Sequence, residues 1–194
     1  MKRASSAIAF PATRRYLRSA SMLSHMPNIA YSVNQKKKRI SSAVSILSIF
    51  LILLADQLSK AAISSRLSEG QSIPIIRDAL HITFVKNTGA AFGLFKDSTY
   101  FFSAVSIIAT VMIGAILIKA IRSGKFAENL LYSFSLVLIM AGAMGNLIDR
   151  LTLRYVIDFI DVRIWPVFNI ADASISSGTF LLILSFIFHK SRSS

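Results

Sequence analysis

NLLYSFSLVLIMAGAMGNLIDR, residues 129–150, is uncharged from Asn129 to Ile148 and closes on Asp149-Arg150. A run of this length can cross a hydrocarbon core, which needs about 20 residues of helix. Its last turns differ in kind from its first. Ala141, Gly142 and Gly145 let a neighbouring backbone approach closely, which is how membrane helices pack. Asn146, Asp149 and Arg150 stand at i, i+3 and i+4 and so share one helix face. An apolar span ending in such a face reads as one helix of a bundle with a polar network inside it. The alternative is an interfacial anchor with Arg150 reaching the headgroups.

Three further segments are long and apolar enough to span: about 40–63, 99–121 and 169–188. The 194-residue chain is 54% hydrophobic, too apolar for an ordinary soluble domain. The expected class is an all-α membrane protein, a four-transmembrane-helix bundle occupying 39–190. Residues 191–194 form a short tail after the last span. Basic clusters fix the orientation: Lys36-Lys37-Lys38-Arg39, Arg122 with Lys125, and His189-Lys190 with Arg192 belong inside. Both termini are then cytoplasmic, and the connections 64–98 and 151–168 face outward.

The formal charge of +13 suggests nucleic acid until it is mapped. Residues 1–39 hold nine basic and no acidic side chains, leaving thirteen basic against nine acidic for the rest. No basic stripe with interleaved aromatics remains, so nucleic-acid binding is not expected. The absence of cysteine excludes disulfides, thiolate metal sites and a cysteine nucleophile. Residues 1–38 read as a disordered basic extension, or as sequence upstream of a true start at Met22 or Met26. An organellar transit peptide is the other reading, although Pro11 and Pro27 interrupt any long amphipathic helix.

The first outward connection holds two β-branched runs, 72–76 and 80–85, separated by Arg77-Asp78-Ala79, so a small sheet is expected there on the membrane surface. Asn87-Thr88-Gly89-Ala90-Ala91-Phe92-Gly93-Leu94-Phe95 follows, with small residues and aromatics suited to the interface. The second span has no ionisable group before Lys119 and reads as scaffold.

Of nine acidic residues, Asp56, Asp149, Asp158, Asp161 and Asp172 sit in or beside apolar segments. A carboxylate beside lipid costs roughly 3 kcal/mol on insertion scales and points to a functional site. Asp158 and Asp172 flank the start of the last span, fourteen positions apart. If they converge, repulsion disfavours double ionisation, so one keeps a proton near neutral pH while the other stays charged. Such a pair can activate water against an amide carbonyl. Simple helix capping by Asn169 and Asp172 is the competing reading. Asp56 and Lys60, four apart, can form an intrahelical pair. Asp161 reads as a solvated loop charge balanced by Arg163, and His81 as structural, since no metal-ligand or triad pattern surrounds it.

Five ordered motifs now stand together: Asp56-Gln57-x-x-Lys60, Asn87-x-Gly89-Ala90-Ala91-Phe92, Gly145-Asn146-x-x-Asp149-Arg150, Val156-Ile157-Asp158-Phe159 and Phe168-Asn169-x-Ala171-Asp172. With the four-span layout, they closely resemble the lipoprotein signal peptidase family, signal peptidase II, over residues 40 to 190. The resemblance implies an aspartyl endopeptidase of the bacterial cytoplasmic membrane. Such an enzyme removes signal peptides from diacylglyceryl-modified prolipoproteins by cutting before the lipidated cysteine. It implies Asp158 and Asp172 as the catalytic dyad. Asp56, Lys60, Asn87, Gly89, Asn146, Asp149, Arg150, Asn169 and Ala171 would shape the site or hold substrate. The segment 73–95 would be the family's periplasmic sheet, or cradle, between spans 1 and 2. No metal or organic cofactor is implied, and a monomer is the expected state. Ala141-Gly142 stands where the family usually has two glycines, and the interval between the two aspartates is short for the family.

A proton-coupled transporter or transporter subunit is the alternative, because membrane carboxylates also relay protons. That reading predicts a midplane site between inverted repeats. Here the acids cluster at one end and no repeat is visible.

Overall fold

A computed structural model of the chain describes residues 11–89, 99–123, 126 and 129–190. Helix α1 runs Pro11–Ser64, followed by strands β1 (Ser72–Ile76) and β2 (Leu80–Asn87). Then come α2 (Thr99–Ser123), α3 (Leu130–Thr152), strand β3 (Val156–Asp161) and α4 (Ile170–Lys190). Four helical stretches are long and apolar enough to cross a membrane: Tyr31–Ser64, Tyr100–Ser123, Leu130–Thr152 and Ile170–Phe188.

The first span differs from the sequence expectation. Residues 11–38, read as a disordered extension, continue the spanning helix as one 54-residue element. Pro11 at its first position lacks only an N–H that the helix leaves unpaired anyway. Residues 1–10, the segment 90–98 with Ala90, Ala91 and Phe92, and residues 191–194 lie outside the described residues.

Helix α3 is the centre of the bundle. Half of its spanning window is buried, against 11% to 22% for the other three. Asn129 caps its start by accepting the Tyr132 amide at 3.0 Å. Small residues set its distance from α4. A Cβ added at Gly142 would overlap the Ala171 carbonyl oxygen, and one at Gly178 would lie 2.8 Å from the Ser135 carbonyl oxygen. Helices α2 and α4 turn large apolar side chains outward, among them Ile108, Val111, Met112, Phe180, Ile183 and Phe186. In a bundle whose solvent is lipid such faces need no further covering.

The expected sheet forms, with one strand more than the sequence suggested. Its order is β1-β2-β3, all antiparallel, and β3 comes from the connection between the third and fourth spans. The register pairs Val85 with Asp158 and Asn87 with Val156. Asp78 takes the left-handed conformation, φ 62°, in the turn that joins β1 to β2. Leu67, Phe84, Ile157 and Phe159 form a buried cluster packed by Ile63 of α1 and Ile170 of α4. This apolar plug seats the sheet on the end of the bundle where α1 and α3 finish and α4 begins.

Candidate active site

Lys60 stands at the centre of the polar network and is 2% exposed. Its ammonium has three protons and three partners: Asp56 Oδ2 at 2.8 Å, Asp149 Oδ2 at 3.0 Å and Asn146 Oδ1 at 3.2 Å. One cation between two carboxylates leaves a negative charge that neutral donors must offset. The Ala171 amide donates to Asp56 Oδ1 at 2.9 Å, and the Ile157 amide to Asp149 Oδ2 at 3.1 Å. Gln57 Nε2 lies 3.1 Å from Asp56 Oδ2, 3.0 Å from Asp149 Oδ1 and 3.3 Å from the Gly145 carbonyl. The Asp56–Lys60 pair is thus intrahelical, as its spacing suggests, and also a tie between α1, α3, β3 and α4. Gly145 makes room for it, since a Cβ there would lie 2.6 Å from Asp56 Oδ2 and 3.2 Å from the Ala171 Cβ. Ala171 is fully buried at the same contact.

Asn146 passes this order on to the two aspartates. While its Oδ1 accepts from Lys60, its Nδ2 donates to Asp172 Oδ1 at 2.7 Å. Asn169 is fully buried, and its Nδ2 lies 2.7 Å from Asp158 Oδ1, 3.1 Å from Asn146 Oδ1 and 3.2 Å from the Ile157 carbonyl. Asn169 also caps α4: its Oδ1 accepts the Asp172 amide at 2.8 Å, and Asp172 Oδ2 accepts the Asn169 amide at 3.3 Å. The capping reading is therefore correct for this pair and incomplete, because the same amide holds Asp158.

Asp158 is 1% exposed on β3, whereas Asp172 is half-buried. Asn87, at the end of β2, donates to Asp158 Oδ2 at 2.8 Å, so both oxygens of this carboxylate are held by amides. Burial pushes the Asp158 carboxyl up to about 6. The Asn87 bond opposes that shift, the Asp172 charge adds to it, and Asn169 and Lys60 oppose it. Gly89, at φ 82°, turns the chain so that its amide donates to Asn87 Oδ1 at 2.8 Å. A side chain there would strike the Phe102 ring. Arg150 reaches the Asn146 carbonyl at 3.4 Å, with Asp172, Asp158 and Asp149 as its electrostatic neighbours.

The remaining expectations fall outside this network. Asp161 is paired with Arg163 at 3.1 Å, as expected, yet it is 6% exposed rather than solvated, because the Thr83 hydroxyl donates to it at 2.8 Å across the sheet. The Arg163 amide and the Thr83 hydroxyl hold it below the usual carboxylate range. Among the described residues, the His81 ring has its hydrogen-bond contact with Ser72 Oγ, at 3.2 Å from Nδ1. No group of His, Cys, Asp and Glu able to hold a metal occurs among the described residues. Gln57, quoted in the first motif without a role of its own, joins the network here. Its signal was an amide side chain inside an apolar span, which needs a partner there.

The family model described as signal peptidase (SPase) II matches residues 48–188. The lipoprotein signal peptidase of Moorella thermoacetica is 45% identical over 132 residues, covering 68% of this chain and 85% of that protein. That of Halothermothrix orenii is 40% identical over 136 residues, covering 70% and 90%. A bacterial membrane enzyme solved by the in meso method at 2.3 Å resolution superposes with a TM-score of 0.68 at 34% identity, covering 78% of this chain and 92% of that one.

Proposed function

The chain belongs to the signal peptidase II family, and from that membership and the paired carboxylates we propose an aspartyl endopeptidase that cuts prolipoproteins immediately before a diacylglyceryl-modified cysteine. It is an integral membrane peptidase whose family removes signal peptides from lipoproteins. The observation that carries the aspartyl reading is the Asn146–Asn169 amide pair, which gives one hydrogen bond to each of Asp172 and Asp158.

Asp158, raised to about 6, is the member suited to hold a proton. Asp172 lies in the first turn of α4, where the helix dipole favours negative charge. Water between them loses a proton to Asp172 as its oxygen bonds to the scissile carbonyl carbon, and Asp158 gives its proton to the developing oxyanion. When the tetrahedral species collapses, the C–N bond breaks and the cysteine amine takes the proton from Asp172. The hydroxyl proton returns to Asp158, and the dyad is as it began. Arg150 and Asn87 flank the pair and are placed to meet substrate backbone. A substrate amine attached to a membrane-held cysteine suits a dyad at the seam of bundle and sheet.

The sheet end is assigned to the outer, periplasmic side of the bacterial cytoplasmic membrane, with both termini cytoplasmic. The proposed state is a monomer. The test is cleavage of a diacylglyceryl-modified prolipoprotein by purified protein, beside its unlipidated form and beside Asp158→Asn and Asp172→Asn. Cleavage of the lipidated form alone, lost in both inserted and folded variants, is expected. Full activity in either variant would remove the dyad.

A further inference from the structure

The connection from β3 to α4 carries a feature that the site does not use. Ile164 is 93% exposed and Trp165 69% exposed, side by side, while the residues before and after the loop are buried. The loop is not loose. Its base is closed by a bridge between Ile160 and Phe168, with the Ile160 amide donating to the Phe168 carbonyl at 2.7 Å and the Phe168 amide returning to Ile160 at 3.1 Å. Asp161 holds the near side, accepting the Arg163 amide at 2.9 Å and its guanidinium at 3.1 Å. Arg163 at φ 66° then turns the chain, and the Ile164 amide donates to the Val162 carbonyl at 2.8 Å. A pinned loop that presents its two largest apolar side chains to the outside exposes them for a reason other than disorder.

We propose that Ile164 and Trp165 form an interfacial anchor that inserts into the lipid leaflet on the dyad's side of the membrane and sets the depth of Asp158 and Asp172. The lipid surface is favoured over a protein partner by size. Two side chains of this kind cover a few hundred Å² at most, well short of the roughly 1,000 Å² that a specific protein interface needs. Position agrees: α4 begins at Ile170, so the tip lies within a few residues of a span whose outer face is apolar. Chemistry agrees too. Tryptophan concentrates at the headgroup level, and the exposed Arg163 beside it suits lipid phosphate. The depth of the tip passes to the site because Asp158 lies two residues before the Ile160–Phe168 bridge and Asn169 directly follows it.

Trp165 is the chain's one tryptophan, so the intact protein carries its own probe. The experiment is intrinsic fluorescence of the full chain in phosphatidylcholine vesicles, plain or brominated either near the carbonyls or near the chain ends. Blue-shifted emission, quenched more by the shallow bromines than by the deep ones and little by aqueous acrylamide, is expected. Ile164→Asp should move the emission to the red and weaken the bromine quenching. Emission as in water with no bromine dependence would overturn the proposal, as would strongest quenching by the deep bromines or an Ile164→Asp variant indistinguishable from the parent. The readout requires no cleavage, so it stands or falls apart from the peptidase reading.

Discussion

Asn146 and Asn169 meet side chain to side chain at 3.1 Å, and each gives a further hydrogen bond, at 2.7 Å, to a different aspartate. Two carboxylates from different elements, one on a strand and one on a helix, are thereby fixed by one rigid unit. Asn146 is itself oriented by Lys60, so the dyad inherits its position from a buried cation on the first span.

If the amide pair works as a unit, its members do not act independently. A hydrogen bond to a charged group is worth about 1.5–3 kcal/mol, so Asn146→Ala and Asn169→Ala should each lower kcat by about 10- to 100-fold. The double variant should be little worse than the poorer single one, because either change breaks the same connection. Single-turnover cleavage by the three proteins measures this. Strictly multiplicative losses would mean that the asparagines act separately.

The pH dependence follows from Asp158. It must be protonated to serve as acid, and it stays so up to about 6 in the free enzyme. Raising the pH through that value therefore removes the proton, and kcat/KM falls. Substrate excludes water and disfavours the charged form further, so the limb in kcat lies at higher pH. The Asn87 bond stabilises the carboxylate and lowers this pKa. Asn87→Ala should accordingly shift the limb of kcat/KM upward. A shift to lower pH would contradict the assignment of Asp158 as the acid.

Much of the fold is written in local sequence, and the site is less so. Each of the last three helices begins and ends within about two residues of its hydropathy run, because lipid selects apolar length directly. Strands β1 and β2 announce themselves by β-branched residues around a turn. Strand β3 does not: nearly every one of its positions is buried, so it lacks the alternation that marks a half-exposed strand. Its pairing with β2 joins Asp158 to Val85 across a long stretch of chain. The same distance hides Asp149 from Lys60, which is why spacing alone gives the intrahelical half of that cluster. The polar face of Asn146, Asp149 and Arg150 was legible as a face, but not which carboxylate each member would meet.

The buried and exposed ion pairs should behave very differently. Lys60→Met leaves Asp56 and Asp149 buried without their cation, and losing one partner of a buried pair costs about 3–5 kcal/mol. Lys86, 37% exposed and 3.0 Å from the exposed Glu69, is a surface pair screened by solvent, so Lys86→Met should leave the midpoint close to that of the parent. Thermal unfolding in detergent compares them. Equal midpoints would show that the Lys60 cluster is hydrated rather than buried.

The seam between α3 and α4 offers the sharpest steric test, because both sides are backbone. A methyl group at Gly142 would run into the Ala171 carbonyl oxygen and lie 2.7 Å from the Ile175 Cγ1, and a carbonyl cannot rotate aside as a side chain can. Overpacking of this kind costs about 1–3 kcal/mol. Because Ala171 adjoins Asp172, the strain should also part Asn146 from Asp172 and lower kcat more than it raises KM. Gly114 is the control: a Cβ there meets only the Met140 Cε at 3.6 Å, an ordinary contact. Gly114→Ala should be neutral or stabilising by up to about 1 kcal/mol through helix propensity. Unfolding temperature and cleavage rate, measured on both variants, decide the matter. If Gly142→Ala melts and turns over like the parent, the two helices are not held as closely as the 2.7 Å and neighbouring contacts require.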